Sequence, residues 1–227
     1  MKKIIFILFI LSVNILAQEY TVEKVSGNVQ ALIGTAENWV KVAVGQKLLG
    51  TDLISTDDKS FVQLANKENR FILQSNSAHG LNSIKKMSLN ELLLALAMEE
   101  IRNVPKTKGS QFTRNTAVYG SEVSAGKAGV VHVSDIGVKK INGARQLAQN
   151  GFTGSAILVA KETYRNYPET KNQIRDRIYF VDLMLQLNLL NEAETELNRI
   201  IAQPLNPDER KEITARLDKI KEAATRR

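Results

Sequence analysis

The run "NWVKVAVGQKLLGTDLISTDDKSFVQLANKENRFILQSNS", from Asn38 to Ser77, constrains the fold more than any other part of the chain. It alternates apolar and polar residues, turns at Gly45, Gly50 and Asp57-Asp58, and is dense in β-branched side chains. That pattern suits short, half-buried strands joined by polar turns. It begins earlier, in "YTVEKVSGNVQALIG", where Gly27-Asn28 marks a turn or bulge. Within the run, "SFVQLA" and "RFILQS" flank "NKEN", a polar gap suited to a hairpin or to a tight solenoid corner. Many short strands without intervening helices predict an all-β unit: a sandwich, a barrel or a solenoid.

At Ser88 the period changes. "SLNELLLALAMEEIR" opens with Ser88 and, three residues on, Glu91, the two members of a capping box. Leu89, Leu92, Leu93, Leu96 and Ala97 fall on one side, and Glu91, Ala95, Glu99 and Arg102 on the other. The spacing predicts an amphipathic helix over about 88–102, inserted in the β unit and docked on it. "TAVYGSEVSAGKAGVVHVSDIG" then returns to alternation, which predicts two or three further strands. From about Lys139 the pattern is helical. Gly151, Thr153 and Ala156 are echoed by Asn188, Leu190 and Ala193 at an offset of 37 residues, and Pro168 and Pro204 end the second helix of each pair. The chain therefore reads as multidomain, all-β followed by all-α. Residues 1–17 form a leader, 18–138 a β domain with its inserted helix, and 139–227 a helical domain.

The leader is "MKKIIFILFILSVNILAQ": two lysines, an apolar run from Ile4 to about Val13, and small Ala17 before Gln18. This is the pattern of a signal peptide, and its apolar run is shorter than the roughly 20 residues a spanning helix needs. A soluble protein, periplasmic or secreted, is expected; an uncleaved anchor is the alternative. The chain has no cysteine, so in an oxidising compartment packing alone must hold it together, and thiol chemistry and cysteine metal sites are excluded. Its formal charge of +7 falls to +5 once Lys2 and Lys3 leave with the leader. The excess lies mainly in the helical part, with 16 basic and 12 acidic residues from Lys139 on, against 13 and 12 before it. Without a basic stripe interleaved with aromatics, nucleic acid is not an expected partner.

Taken together, "VEKVSGNVQ", "WVKVAVGQKLLGTDLISTDDKSFVQLA" and "NRFILQSNS" resemble the FecR domain, an extracytoplasmic module. The resemblance rests on Gly27, on Trp39 and Val42 before Gly45, on Leu48, Gly50, Asp52, Ile54 and Thr56, and on Ser60, Val62 and Leu64. "TAVYGSEV" is similar to a second run of the family, with Tyr119-Gly120-Ser121 where Arg-Gly-Thr is usual. Residues 139–206 resemble tetratricopeptide repeats, with "NPDERKEITARLDKIKEAA" as a closing helix. The family's signalling members carry a cytoplasmic segment and a membrane helix ahead of the domain. Here a leader precedes it directly, so the resemblance implies an interaction or sensing module detached from its transducer.

Catalytic readings fail on inventory. The two histidines are His79 and His132, and alternation in "VVHVSDIG" makes His132 a strand residue, with Ser134 on its face and Asp135 on the other. That spacing cannot assemble a Ser/His/Asp arrangement, and histidines so far apart in the sequence do not suggest a metal site. Asp57-Asp58 reads as a turn and Glu99-Glu100 as a solvated helix edge. No strand-to-helix glycine loop is present to hold phosphate. The expectation is a non-enzymatic protein without cofactor or metal, binding another envelope protein or peptide. The alternative is a sensing subunit that relays a ligand to a separate membrane transducer. The binding candidates are Trp39, the single tryptophan, and Tyr164, Arg175 and Tyr179, from the cluster that also holds Tyr167, Arg177 and Phe180. Arg and aromatic residues are favoured at interfaces. Arg175 and Tyr179 are expected at the contact, with an acidic partner surface.

Overall fold

A computed structural model describes residues 18–35, 38–103 and 133–225. The leader, His132 and the Tyr119-Gly120-Ser121 run lie outside the described residues. Eight short strands come first: β1 (Glu19–Ser26), β2 (Val29–Leu32), β3 (Trp39–Lys41), β4 (Lys47–Leu49), β5 (Leu53–Thr56), β6 (Phe61–Ala65), β7 (Arg70–Leu73) and β8 (Ser77–Gly80). They form two four-stranded antiparallel sheets, ordered β4-β1-β6-β7 and β3-β2-β5-β8. The NKEN gap is a hairpin: Ala65 pairs with Arg70, and the Asn66 carboxamide oxygen accepts from the backbone N–H of Glu68 (2.9 Å) and Asn69 (2.6 Å). Alternation sends Tyr20, Val22, Val62, Leu64, Phe71 and Leu73 of one sheet, and Val29, Ala31 and Ile54 of the other, into a common core.

Six helices follow: α1 (Leu89–Asn103), α2 (Val133–Gln149), α3 (Thr153–Asn166), α4 (Ile174–Gln186), α5 (Leu190–Ile201) and α6 (Pro207–Thr225). The capping box is present, with Ser88 N–H donating to the Glu91 carboxylate (2.7 Å) and Glu91 N–H donating to the Ser88 hydroxyl (3.3 Å). Two expectations for this region are corrected. Leu92, Leu96 and Glu99 are the buried residues of α1, and its main helical neighbour is α3, whereas Leu89, Leu93, Leu94, Met98 and Ile101 face solvent. The helix therefore docks through Leu92 and Leu96 of its apolar side together with Glu99, which periodicity assigns to water, and leaves Leu89 and Leu93 of that apolar side exposed. Residues 133–138, read as strand, belong to α2, so Ser134 and Asp135 are helical and position 138 lies inside a helix. Val133 to Val138 alternate only weakly, and packing against β8 and α3 selects the helix.

The 37-residue echo is structural. Gly151 (φ 83°) and Asn188 (φ 58°) take the same left-handed position between paired helices, the conformation that glycine and asparagine tolerate best. The turns share hydrogen bonds at the same offset: Phe152 N–H to Leu147 C=O and Leu189 N–H to Met184 C=O, both 2.9 Å. Ala156 and Ala193 are fully buried after these turns, allowing close helix approach.

One edge of the second sheet is β8, and α2 covers it. Gln146 accepts from Gln74 N–H (2.7 Å) and donates to the Ser77 hydroxyl (2.6 Å), while Asn142 donates to Asn76 C=O (2.8 Å). Lys139 reaches Asp57, whose carboxylate also accepts from Asn28; burial raises the Asp57 pKa, and these contacts more than offset it, leaving it low. Asp57 is thus more than the turn residue its sequence context suggested. Helix side chains here satisfy groups that an open strand edge would present to other chains. Strand and helix side chains, from Tyr20 to Ile220, form one continuous apolar cluster.

His79 of β8 is wholly buried, 5.0 Å from the Phe71 ring, and its contact with the Gly80 backbone falls short of hydrogen-bond geometry. Burial, with Lys140 nearby, pushes its pKa down to about 3 from 6.5. The unfolded chain takes up this proton near pH 6.5 and the folded chain does not. Stability from His79 is therefore complete above that pH and falls as the pH drops, by at most about 1.4 kcal/mol per unit. Urea midpoints at pH 7.5, 6.5 and 5.5 should decline for the native sequence and decline less for His79→Leu. Equal slopes would show that the imidazole does not carry the acid sensitivity in this window.

Candidate functional site

Helices α1, α3, α4 and α5 converge on a cleft of about 340 Å³. Its floor is an ion triad. Glu196 of α5 accepts from Lys161 of α3 at 3.0 Å and from Nε of Arg177 of α4 at 2.8 Å, with Arg177 Nη2 in ion-pair contact at 2.7 Å. All three side chains are under 10% exposed. Burial alone would raise the Glu196 pKa, but the two cations outweigh it and hold the carboxyl below its usual range.

The rim is a second tier. Glu100 accepts from both terminal nitrogens of Arg199 (3.0 and 2.7 Å) and lies 3.7 Å from Lys161. Glu99, with a side chain 4% exposed, accepts from Arg165 (2.8 Å) and Arg102 (2.7 Å). Burial raises the Glu99 pKa, yet the two guanidiniums leave it low; the hydrogen bond from Arg199 chiefly lowers that of Glu100. The pair read as a solvated edge is therefore what ties α1 to the helical repeat. The reason is tertiary: Arg165 and Arg199 come from helices distant in sequence.

Lys171 adds a fifth cation to the wall, beside Lys161, Arg165, Arg177 and Arg199. Against them stand Glu196 in the wall and, reaching in from α1, Glu100 and Glu99, the last shared with Arg102, so that among the described residues the cleft and its immediate partners are net positive. Tyr164 also lines it, edge-on to Phe180 at 6.4 Å, and burial raises the pKa of its phenol. Such a wall can hold and orient an anion.

Of the residues singled out by sequence, Tyr164 lies in this cleft. Arg175, two residues before the buried Arg177, is exposed and does not line it. Tyr179 is half-buried with the Arg145 guanidinium 5.1 Å from its ring, and Arg145 in turn pairs with Asp176. Trp39 is half-buried on β3, the edge strand opposite β8, paired with Leu32 and apart from the cleft. Sequence reasoning missed Lys161, Glu196 and Arg199. A signal existed: Lys161 follows Ile157 and Ala160 on the buried face of α3, and Glu196 sits between Ala193 and Leu197 on that of α5. Opposite charges at core positions of successive helices mark a buried pair.

Among the described residues no group of three or more His, Asp or Glu is placed to hold a metal ion, and no helix is long and apolar enough to cross a membrane. Comparison with protein-family models, with curated proteins and with solved structures finds no match.

Proposed function

We propose that this chain is an exported, non-catalytic binding protein of the cell envelope, with a FecR-like β domain and tetratricopeptide-like helix pairs, and that its helical half holds an acidic surface of another envelope protein. The observation that carries this reading is the cleft, where five cations meet three carboxylates. A network serving only the fold would gain nothing from excess charge of one sign. The FecR and tetratricopeptide assignments rest on the sequence resemblances. The antiparallel sheets and the repeated helix turn are compatible with both.

The test is crosslinking in the envelope, followed by titration of the recovered partner against the native chain, Lys171→Glu and Trp39→Ala. Lys171→Glu should weaken binding roughly tenfold at low salt and less at high salt, since exposed charges act through a screened field. Trp39→Ala should leave it within about twofold. The reverse ranking would move the site to the β domain. For the export reading, intact mass should show a mature chain beginning at or near Gln18 in the soluble extracytoplasmic fraction; Met1 retained in a membrane fraction overturns it.

A further inference from the structure

Two buried donors on residues that line the cleft have no partner among the described residues. The Arg177 guanidinium spends Nε and Nη2 on Glu196, while its Nη1 is buried and unpaired. The Tyr164 hydroxyl is buried and unpaired as well. Both side chains line the cleft and both are at least nine-tenths buried, Arg177 at 3% and Tyr164 at 5% exposed. Buried donors are nearly always satisfied in folded proteins, and a pair left open beside a cavity marks where a ligand supplies the acceptors.

We infer that Arg177 Nη1 and Tyr164 Oη form a carboxylate-recognition subsite, at which an acidic side chain or a chain-terminal carboxylate of a peptide enters the cleft between α3, α4 and α5. The inference rests on the binding role proposed above and names the group bound. Charge sets the sign of the ligand: a neutral acceptor would satisfy the two donors but leave the positive excess of the cleft uncompensated. The donors set its class. Two unpaired donors with no unpaired acceptor beside them among the described residues call for a group that accepts only, and a carboxylate brings fewer charged oxygens toward the Glu196 carboxylate than a phosphate does. Lys171, on the wall, contributes attraction without a fixed bond. The roughly 340 Å³ of space admits one or two residues, the acidic side chain or chain end that the partner projects into the cleft.

The experiment is calorimetric titration of the full chain at low salt with four probes: a peptide blocked at both ends and carrying two glutamates, its two-glutamine counterpart, an uncharged peptide with a free C-terminal carboxylate, and inorganic phosphate. The glutamate peptide or the free-carboxylate peptide should bind, and whichever binds more tightly identifies the source; the glutamine peptide should bind at least tenfold more weakly. Tyr164→Phe should weaken the bound peptide about three- to tenfold while leaving the urea midpoint of the ligand-free chain unchanged or slightly raised, because an unpaired hydroxyl is removed. A hydroxyl needed only for the fold would lower that midpoint. Phosphate binding more tightly than both carboxylate peptides, no peptide binding at all, or binding indifferent to Tyr164→Phe and to Lys171→Gln would each overturn the inference. If these probes fail while the recovered partner still responds to Lys171→Glu, the carboxylate subsite is wrong and the binding role stands. If the partner ignores Lys171→Glu, the binding role itself falls.

Discussion

Replacing Glu196 by leucine is expected to destabilise the chain by about 3–5 kcal/mol, the range for removing one partner of a buried ion pair. The substitution strands two cations that are under 10% exposed. Among the described residues Lys161 then keeps only Glu100, at 3.7 Å, and Arg177 keeps no carboxylate. Most of the loss comes from leaving Arg177 buried without a counter-charge, so Glu196→Leu combined with Arg177→Met should recover a large part of it. Urea unfolding of the two single variants and the double variant measures this directly. If Glu196→Leu costs less than about 1 kcal/mol, water reaches the floor of the cleft, and the triad is not the buried structure its geometry indicates. Acidification probes the same carboxylates in another window. The pKa values of Glu99, Glu100 and Glu196 are held low in the folded chain, so the stability they supply is complete above the usual glutamate pKa and fails only as the pH falls through their depressed values. The His79 effect begins higher, near pH 6.5.

Gly143→Ala is expected to be nearly as damaging, by about 3 kcal/mol, although alanine favours a helix over glycine by about 1 kcal/mol. A Cβ at this position would lie 2.4 Å from the Ala78 carbonyl oxygen and 3.0 Å from its carbon, both backbone atoms of β8. No side chain can rotate out of the way. Helix α2 must lift off the strand edge, loosening the Asn142, Gln146 and Lys139 contacts together. For a chain of this length the melting temperature should drop by roughly 6–12 °C. Gly50→Ala is the control: its φ is unexceptional and the nearest atoms to a new Cβ are 3.5 Å away, so it should be tolerated. Equal melting temperatures for the two variants would mean that α2 and β8 are not in the close contact described.

The parts of the fold legible in the sequence are those written in short stretches. The NKEN hairpin follows from polar turn chemistry between two alternating runs, and Asn66 supplies the acceptor that closes it. The Ser88–Glu91 capping box is a three-residue relation that needs no tertiary help. The 37-residue echo was visible because Gly151 and Asn188 answer the same backbone demand, a positive φ between paired helices. The site was less legible. Tyr164 was singled out, but as one aromatic in a cluster, and its neighbour Arg175 was preferred to Arg177. Both arginines look alike in sequence, and the helical register that turns one into the cleft and the other to solvent is fixed by the packing of α4 against α3 and α5.

By itself the sequence determined local geometry: where strands turn, where helices cap, and which residues share a face, because each depends on groups within a few positions of one another. Tertiary structure alone decided what those faces meet. It made Glu99 a buried partner of Arg165 and left Leu89 and Leu93, on the apolar side of α1, in water. It laid α2 along the edge of β8 and drew Lys161, Arg177 and Glu196 from three helices onto one floor. The physical reason is that burial and charge pairing are properties of a position in space. A lysine on α3 has a partner only once α5 has been folded against it.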